Sequence, residues 1–100
     1  MHAKPWFLYL IECRNGSIYT GVTVNVAARY AAHAGGKGAR YTRSHPPARL
    51  LAVLEYADHS HALQAEHEVK TLSASEKRTY ALIVALATAA ARADFASLSL

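Results

Sequence analysis

The chain has one cysteine, Cys13, and therefore no partner for an intramolecular disulfide. A lone thiol fits a reducing compartment and argues against a disulfide-stapled scaffold. Long apolar runs are missing too. The longest largely apolar stretch, Tyr80 to Ala91, falls well short of the roughly 20 residues that a membrane-spanning helix needs. The N-terminus lacks a signal-peptide pattern, since Lys4-Pro5-Trp6 leads into a strand-like run broken by Glu12. A soluble cytoplasmic protein with no membrane partner is expected. Acidic residues are scarce, seven against eleven Lys and Arg, and none falls between Glu12 and Glu55. That interval holds Arg14, Arg29, Lys37, Arg40, Arg43 and Arg49. Charge segregated in this way builds a field of one sign, which attracts a polyanion.

Several site chemistries lack their residues. The six histidines show no paired zinc spacing, and one cysteine cannot build a thiolate cluster. No Gly-x-Ser-x-Gly elbow is present for a serine hydrolase. Gly36-Lys37-Gly38 lacks the spacing of a nucleotide-binding phosphate loop and the Ser or Thr that should follow its lysine. The surrounding stretch, Ala34 to Arg49, reads as a mobile basic loop that either holds phosphates or is simply solvated.

What the chain does contain is enough for one domain over residues 1–100, with a single modest core, since 52% of its residues are apolar. Phe7 to Cys13 and Ile18 to Val22 have the branched and aromatic content of strands, and Asn15-Gly16 between them signals a hairpin. Parity decides what this hairpin presents. A two-residue turn would pair Glu12 with Tyr19 and send Tyr9 and Tyr19 to opposite faces. A three-residue loop, Arg14-Asn15-Gly16 with Gly16 as a left-handed bulge, pairs Tyr9 with Gly21 and Ile11 with Tyr19. Both phenols then share one face, and Gly21 leaves room for the Tyr9 ring. The three-residue loop is the expectation.

A short helix follows over Val26 to His33, with Asn25 as its N-cap and with Arg29 and His33 on one face. Leu50 to Tyr56 reads as a third strand, central or well covered because it is mostly apolar. Asp58-His59-Ser60 is a turn and cap before a helix over His61 to Leu72. Ser73-Ala74-Ser75-Glu76 has capping-box spacing and opens a last helix, Ser75 to about Ala91. From Arg92 onward no pattern is evident. Glu66 lies at the edge of an apolar stripe formed by Ala62, Ala65, Val69 and Leu72. It is either a half-desolvated carboxylate awaiting a ligand or half of an ordinary Glu66–Lys70 pair, worth about 0.3–0.5 kcal/mol.

Five short pieces in order carry a resemblance. They are Trp6 to Ile11, Ile18 to Thr23, Ala28 to His33, Gly35 to Arg40 and Ala62 to Lys70. Together they resemble the GIY-YIG nuclease superfamily, in particular its small single-domain YhbQ-like branch, over about residues 4–77. The resemblance implies an α+β fold, a small antiparallel three-stranded sheet made of a β-hairpin, a helix and a third strand, flanked by helices. It also implies a phosphodiesterase site using a single divalent ion, Mg²⁺ or Mn²⁺. On this resemblance Tyr9, Tyr19, Arg29 and His33 are the catalytic group, and Glu66 is the metal ligand. Lys37, Arg40, Arg43 and Arg49 are assigned to nucleic-acid binding. The expected partner is DNA or RNA, cleaved with little sequence preference, and the expected state is a monomer or a weak homodimer through the last helix. The match departs from the family pattern at Phe7-Leu8, and at Thr20, which stands where the second motif has isoleucine.

Overall fold

The computed structural model describes residues 4–98, with side chains in the last helix described as far as residue 91. Three strands, β1 (Trp6–Cys13), β2 (Ile18–Thr23) and β3 (Pro47–Tyr56), form one antiparallel sheet in the order β2-β1-β3. The centre is therefore the first strand, not the third. Leu8, Leu10 and Ile11 are completely buried, whereas Leu50 and Val53 of β3 remain more than a third exposed. The apolar run of β3 reflects cover from one side only.

Pairing in the hairpin follows the three-residue loop. Tyr9 faces Gly21 and Ile11 faces Tyr19. Cys13 N–H donates to Ser17 O at 2.8 Å, and Gly16 takes a φ of +86°. Glycine is the residue that occupies that region without steric cost. The Asn15 carboxamide oxygen accepts from Ser17 N–H at 3.1 Å and holds the loop closed.

Helix α1 (Val26–Ala34) starts where Asn25 Oδ1 accepts from Ala28 N–H at 3.0 Å, a cap worth about 1 kcal/mol. The expected basic loop is not structureless: it contains the short helix α2 (Arg40–Ser44), and β3 begins at Pro47, earlier than its apolar run suggests. Helix α3 (His59–Lys70) is capped by Asp58, whose side chain accepts from His61 N–H at 2.9 Å. The capping box forms as read, with Ser73 N–H on Glu76 Oε1 at 2.9 Å and Glu76 N–H on Ser73 Oγ at 3.1 Å. Helix α4 (Ala74–Leu98) then continues well past Ala91. The final two residues of the patternless tail lie outside the described residues.

The sheet separates two apolar clusters. Leu8, Leu10, Ile18, Ala52, Val69 and Ala81 pack on the α3–α4 face. Tyr9, Ile11 and Cys13 pack on the α1 face with Tyr19, Val26 and Tyr30 at their margin. Alternation along β1 thus places both phenols on the α1 side. Among the described residues no helix is long and apolar enough to cross a membrane.

Candidate active site

Tyr9 lies at the bottom of the α1 face, 2% exposed, while Tyr19 is half-buried at its rim. Their ring centroids are 6.3 Å apart. The space between the strands is set by glycine: a Cβ on Gly21 would come within 2.6 Å of Tyr9 Cζ. His33, on α1, closes the group from above. Its ring lies 5.0 Å from that of Tyr19, and its Nε2 is 2.9 Å from the Tyr9 hydroxyl.

His33 is itself fully buried and held from behind by residues that carry no signal in the sequence. Thr42 Oγ1 is 2.6 Å from His33 Nδ1, and the Ala39 N–H points at the same nitrogen from 3.4 Å. Gly38 presses on the ring so closely that a Cβ there would reach 2.7 Å from His33 Cγ, and closer still to Nδ1. Thr42 and Gly38 lie in the stretch read as a basic loop. Only the inward face of a five-residue helix and the fit against α1 reveal them.

The tautomer of the imidazole turns on one proton. The Thr42 hydroxyl has two acceptors in reach, the Ala39 carbonyl at 3.0 Å and His33 Nδ1 at 2.6 Å. With the proton on the carbonyl, His33 donates from Nδ1 to Thr42 Oγ1 and accepts the Tyr9 phenol proton at Nε2. With it on Nδ1, the ring proton sits on Nε2 and goes to the Tyr9 oxygen. In both cases Thr42 and Tyr9 hold the ring from its two nitrogens.

Electrostatics agree. Burial pushes the Tyr9 phenol above the ordinary tyrosine range, with Arg29 opposing and Tyr19 and Glu66 adding to the rise. Burial, then the nearby Arg29 charge, holds His33 below the ordinary histidine range. Both groups stay neutral at neutral pH. The stability that neutral His33 lends is fully present above the ordinary value of about 6.5 and is lost as pH falls through the lower folded value. Thr42→Val should cost about 1–3 kcal/mol by leaving buried His33 Nδ1 without its hydroxyl partner. Thr42→Ser should restore that stability. Imidazole ¹⁵N spectra should show one tautomer in the wild type and a mixture in Thr42→Val, and a wild-type mixture would show that Thr42 does not hold the ring.

Glu66 on α3 has an 18% exposed side chain and pairs with Lys70 Nζ at 3.6 Å, while its charge is felt at Tyr9. The geometry thus gathers Tyr9, Tyr19, Arg29, His33 and Glu66 from β1, β2, α1 and α3. Lys37, Arg40 and Arg43 are exposed or half-exposed on the segment that bears Thr42. Arg49 is placed elsewhere. It bonds Glu12 at 2.9 Å and lines a crevice against α4 with Arg78, on the sheet face opposite the phenols. Arg78 also holds Glu12, at 3.4 Å, and the Gly16 carbonyl, so this cluster braces the hairpin turn.

Among the described residues no three His, Cys, Asp or Glu side chains converge on one point. A lone, half-buried carboxylate fits a hard divalent cation such as Mg²⁺, which takes one or two protein oxygens and otherwise keeps water or phosphate.

A β-hairpin, a helix, a third strand beside the first and two further helices make the fold of a small catalytic domain from a nuclease family. The GIY-YIG catalytic domain matches residues 5–81, and the chain belongs to that family. Its domains act on nucleic acid and generally use divalent metal ions. Within the family it is similar to proteins of the UPF0213 group. The UPF0213 protein H16_B0156 of Cupriavidus necator is 53% identical over 77% of this chain and 84% of its own length. The UPF0213 protein NMA2126 of Neisseria meningitidis is 45% identical over 78% of this chain and 86% of its own. The solution structure of the UPF0213 protein BH0048 of Bacillus halodurans superposes with a TM-score of 0.51 at 40% identity, covering 79% of this chain and 84% of that one.

Proposed function

We propose that the protein is a metal-dependent endonuclease that hydrolyses phosphodiester bonds in DNA with little sequence preference, serving DNA repair or processing in the cytoplasm. The observation that carries this reading is the meeting of Tyr9, Tyr19 and His33 on one face of the sheet, with the Arg29 and Glu66 charges both acting on Tyr9. Glu66 would hold a single Mg²⁺ or Mn²⁺, which supplies charge neutralisation at the phosphate. Arg29 offers a planar pair of donors to a phosphoryl oxygen. Tyr9, kept protonated by burial and held in place by His33, orients the water or the phosphate. Tyr19, at the rim, orients the attacking water and takes its proton while passing its own phenolic proton to solvent. The new P–O bond forms from that water as the bond to the leaving sugar oxygen breaks, and the leaving oxygen is protonated from solvent. With Lys37, Arg40 and Arg43 contacting phosphates, affinity should depend steeply on salt and little on base sequence.

The Glu66–Lys70 pair favours one other reading, a nucleic-acid-binding domain in which the carboxylate is already satisfied and no turnover occurs. Supercoiled plasmid incubated with Mg²⁺ or Mn²⁺ separates the two. Nicking by the wild type that is lost in EDTA and in Glu66→Ala supports the enzyme. A gel shift without nicking refutes turnover.

A further inference from the structure

At the outer edge of β2 a cleft of about 250 Å³ is bounded by Tyr19, Tyr41, Thr20, Lys70 and Lys77, with Ile18 at its end. We propose that this cleft binds a second backbone phosphate of the nucleic acid, next to the one that is cleaved, through Lys70, Lys77 and the Thr20 hydroxyl. The proposal rests on the nucleic-acid partner of the preceding reading and not on turnover.

Thr20 provides the first observation. It is 2% exposed, yet its Oγ1 has no hydrogen-bond partner. Buried hydroxyls almost always have one, and leaving one bare costs free energy that an apolar residue would avoid. This is also the position where the chain departs from the isoleucine of the family's second motif. Thr20 lines the cleft, and its covered hydroxyl is a donor without an acceptor directly behind that wall.

The two lysines provide the second. They come from different helices, α3 and α4, and the capped turn between those helices brings them to one cleft. Lys77 donates one proton to Ile18 O at 3.3 Å and keeps two more donors. Burial and the neighbouring Lys70 charge hold it below the ordinary lysine range. Both lysines line the cleft, Lys70 keeping donors beyond its 3.6 Å pairing with Glu66, and together they favour an anion between them. Phosphate suits the site because its oxygens only accept, and all three groups can donate. The adjacent wall also fits a nucleotide. Tyr41 is 40% exposed and lies nearly parallel to Tyr19, at 20° and 6.1 Å, offering an apolar face to a sugar or base. Because Tyr19 belongs to both the cleft and the proposed reaction site, the two are contiguous.

The test measures binding by fluorescence anisotropy, with a labelled mixed-sequence oligonucleotide in EDTA over a range of salt. In K70Q/K77Q the slope of log affinity against log salt should fall by about 0.7–0.9, the signature of one lost phosphate contact. K70R/K77R should keep the wild-type slope. Thr20→Val should weaken binding with the slope unchanged. Inorganic pyrophosphate added to the wild type should shift the Thr20 and Lys77 amide resonances, which tests the site even if a variant fails to fold. An unchanged slope in a folded K70Q/K77Q, or no shift at Thr20, overturns the proposal. Wild-type binding without nicking would remove the enzyme and leave this site standing, whereas nicking with an unchanged slope in the variant would do the reverse.

Discussion

Tyr19→Phe is expected to slow metal-dependent nicking by about 10²–10⁴-fold, the range for loss of a proton-transfer group, with unfolding temperature and DNA affinity unchanged. The two phenols sit in unequal settings. Tyr19 stands at the rim, half-buried, and its hydroxyl makes no hydrogen bond to another of the described residues. Its oxygen is free for substrate or water, so its removal costs chemistry and not structure. Tyr9 is 2% exposed and shares a hydrogen bond with His33 Nε2 at 2.9 Å. Tyr9→Phe should slow nicking by roughly 10²-fold, the order expected when a positioning group is lost. It should also destabilise the fold by about 1–3 kcal/mol, because buried His33 loses a hydrogen-bond partner. Thermal melts beside nicking rates read both effects. Full activity in Tyr19→Phe would remove that residue from the mechanism. Equal melting losses in the two variants would contradict the division of labour between them.

The second large effect is expected at a residue that contacts no substrate in this scheme. Gly38→Ala should destabilise the protein by about 1–3 kcal/mol, the range for an overpacked interior. It should also slow nicking by roughly 10²-fold, the order expected when a site is displaced by about 1 Å. The added carbon would lie 2.8 Å from His33 Cα as well as against the ring, so a rotamer change alone cannot relieve the clash. Backbone must move, and with it the imidazole that orients Tyr9. Gly36 is the control. It has a φ of +76°, but a Cβ added there would meet nothing within 4 Å. Gly36→Ala should therefore cost only the left-handed backbone penalty of about 1–2 kcal/mol, with the nicking rate kept. Equal activity in the Gly38 and Gly36 variants would show that His33 does not depend on its packing.

The contrast between these glycines shows where sequence was informative. Asn15-Gly16 is a local signal, and parity carried it to the correct face for both phenols. Asn25, Asp58 and the Ser73–Glu76 box are local as well, since each side chain bonds an amide three residues away. Thr42 and Gly38 act on His33 through tertiary packing, and nothing in their immediate neighbours marks that. Helix α2 has five residues, too few for periodicity to separate it from the glycines and prolines around it. Arg49 failed to join the other basic residues for a related reason. Composition places it in the acid-free interval, but strand pairing with Glu12 sends it to the far side of the sheet. The β1–β3 ladder is also irregular near this point, with shifts between Leu10 and Ile11 and between Glu12 and Cys13, which composition does not encode.

The position of β1 matters during synthesis as well. Of the three described strands it leaves the ribosome before the others, yet it is the central strand of the finished sheet. Its hairpin partner follows at once, but β3 ends only at Tyr56. At about 5–20 residues per second, one edge of the most apolar strand waits roughly 2–9 s for its mate. During that interval a growing chain displays an open, pairing-competent edge of the kind that seeds association between neighbouring chains on one message. The brief exposure follows from threading order alone, and conditions that slow elongation between Cys13 and Tyr56 should lengthen it.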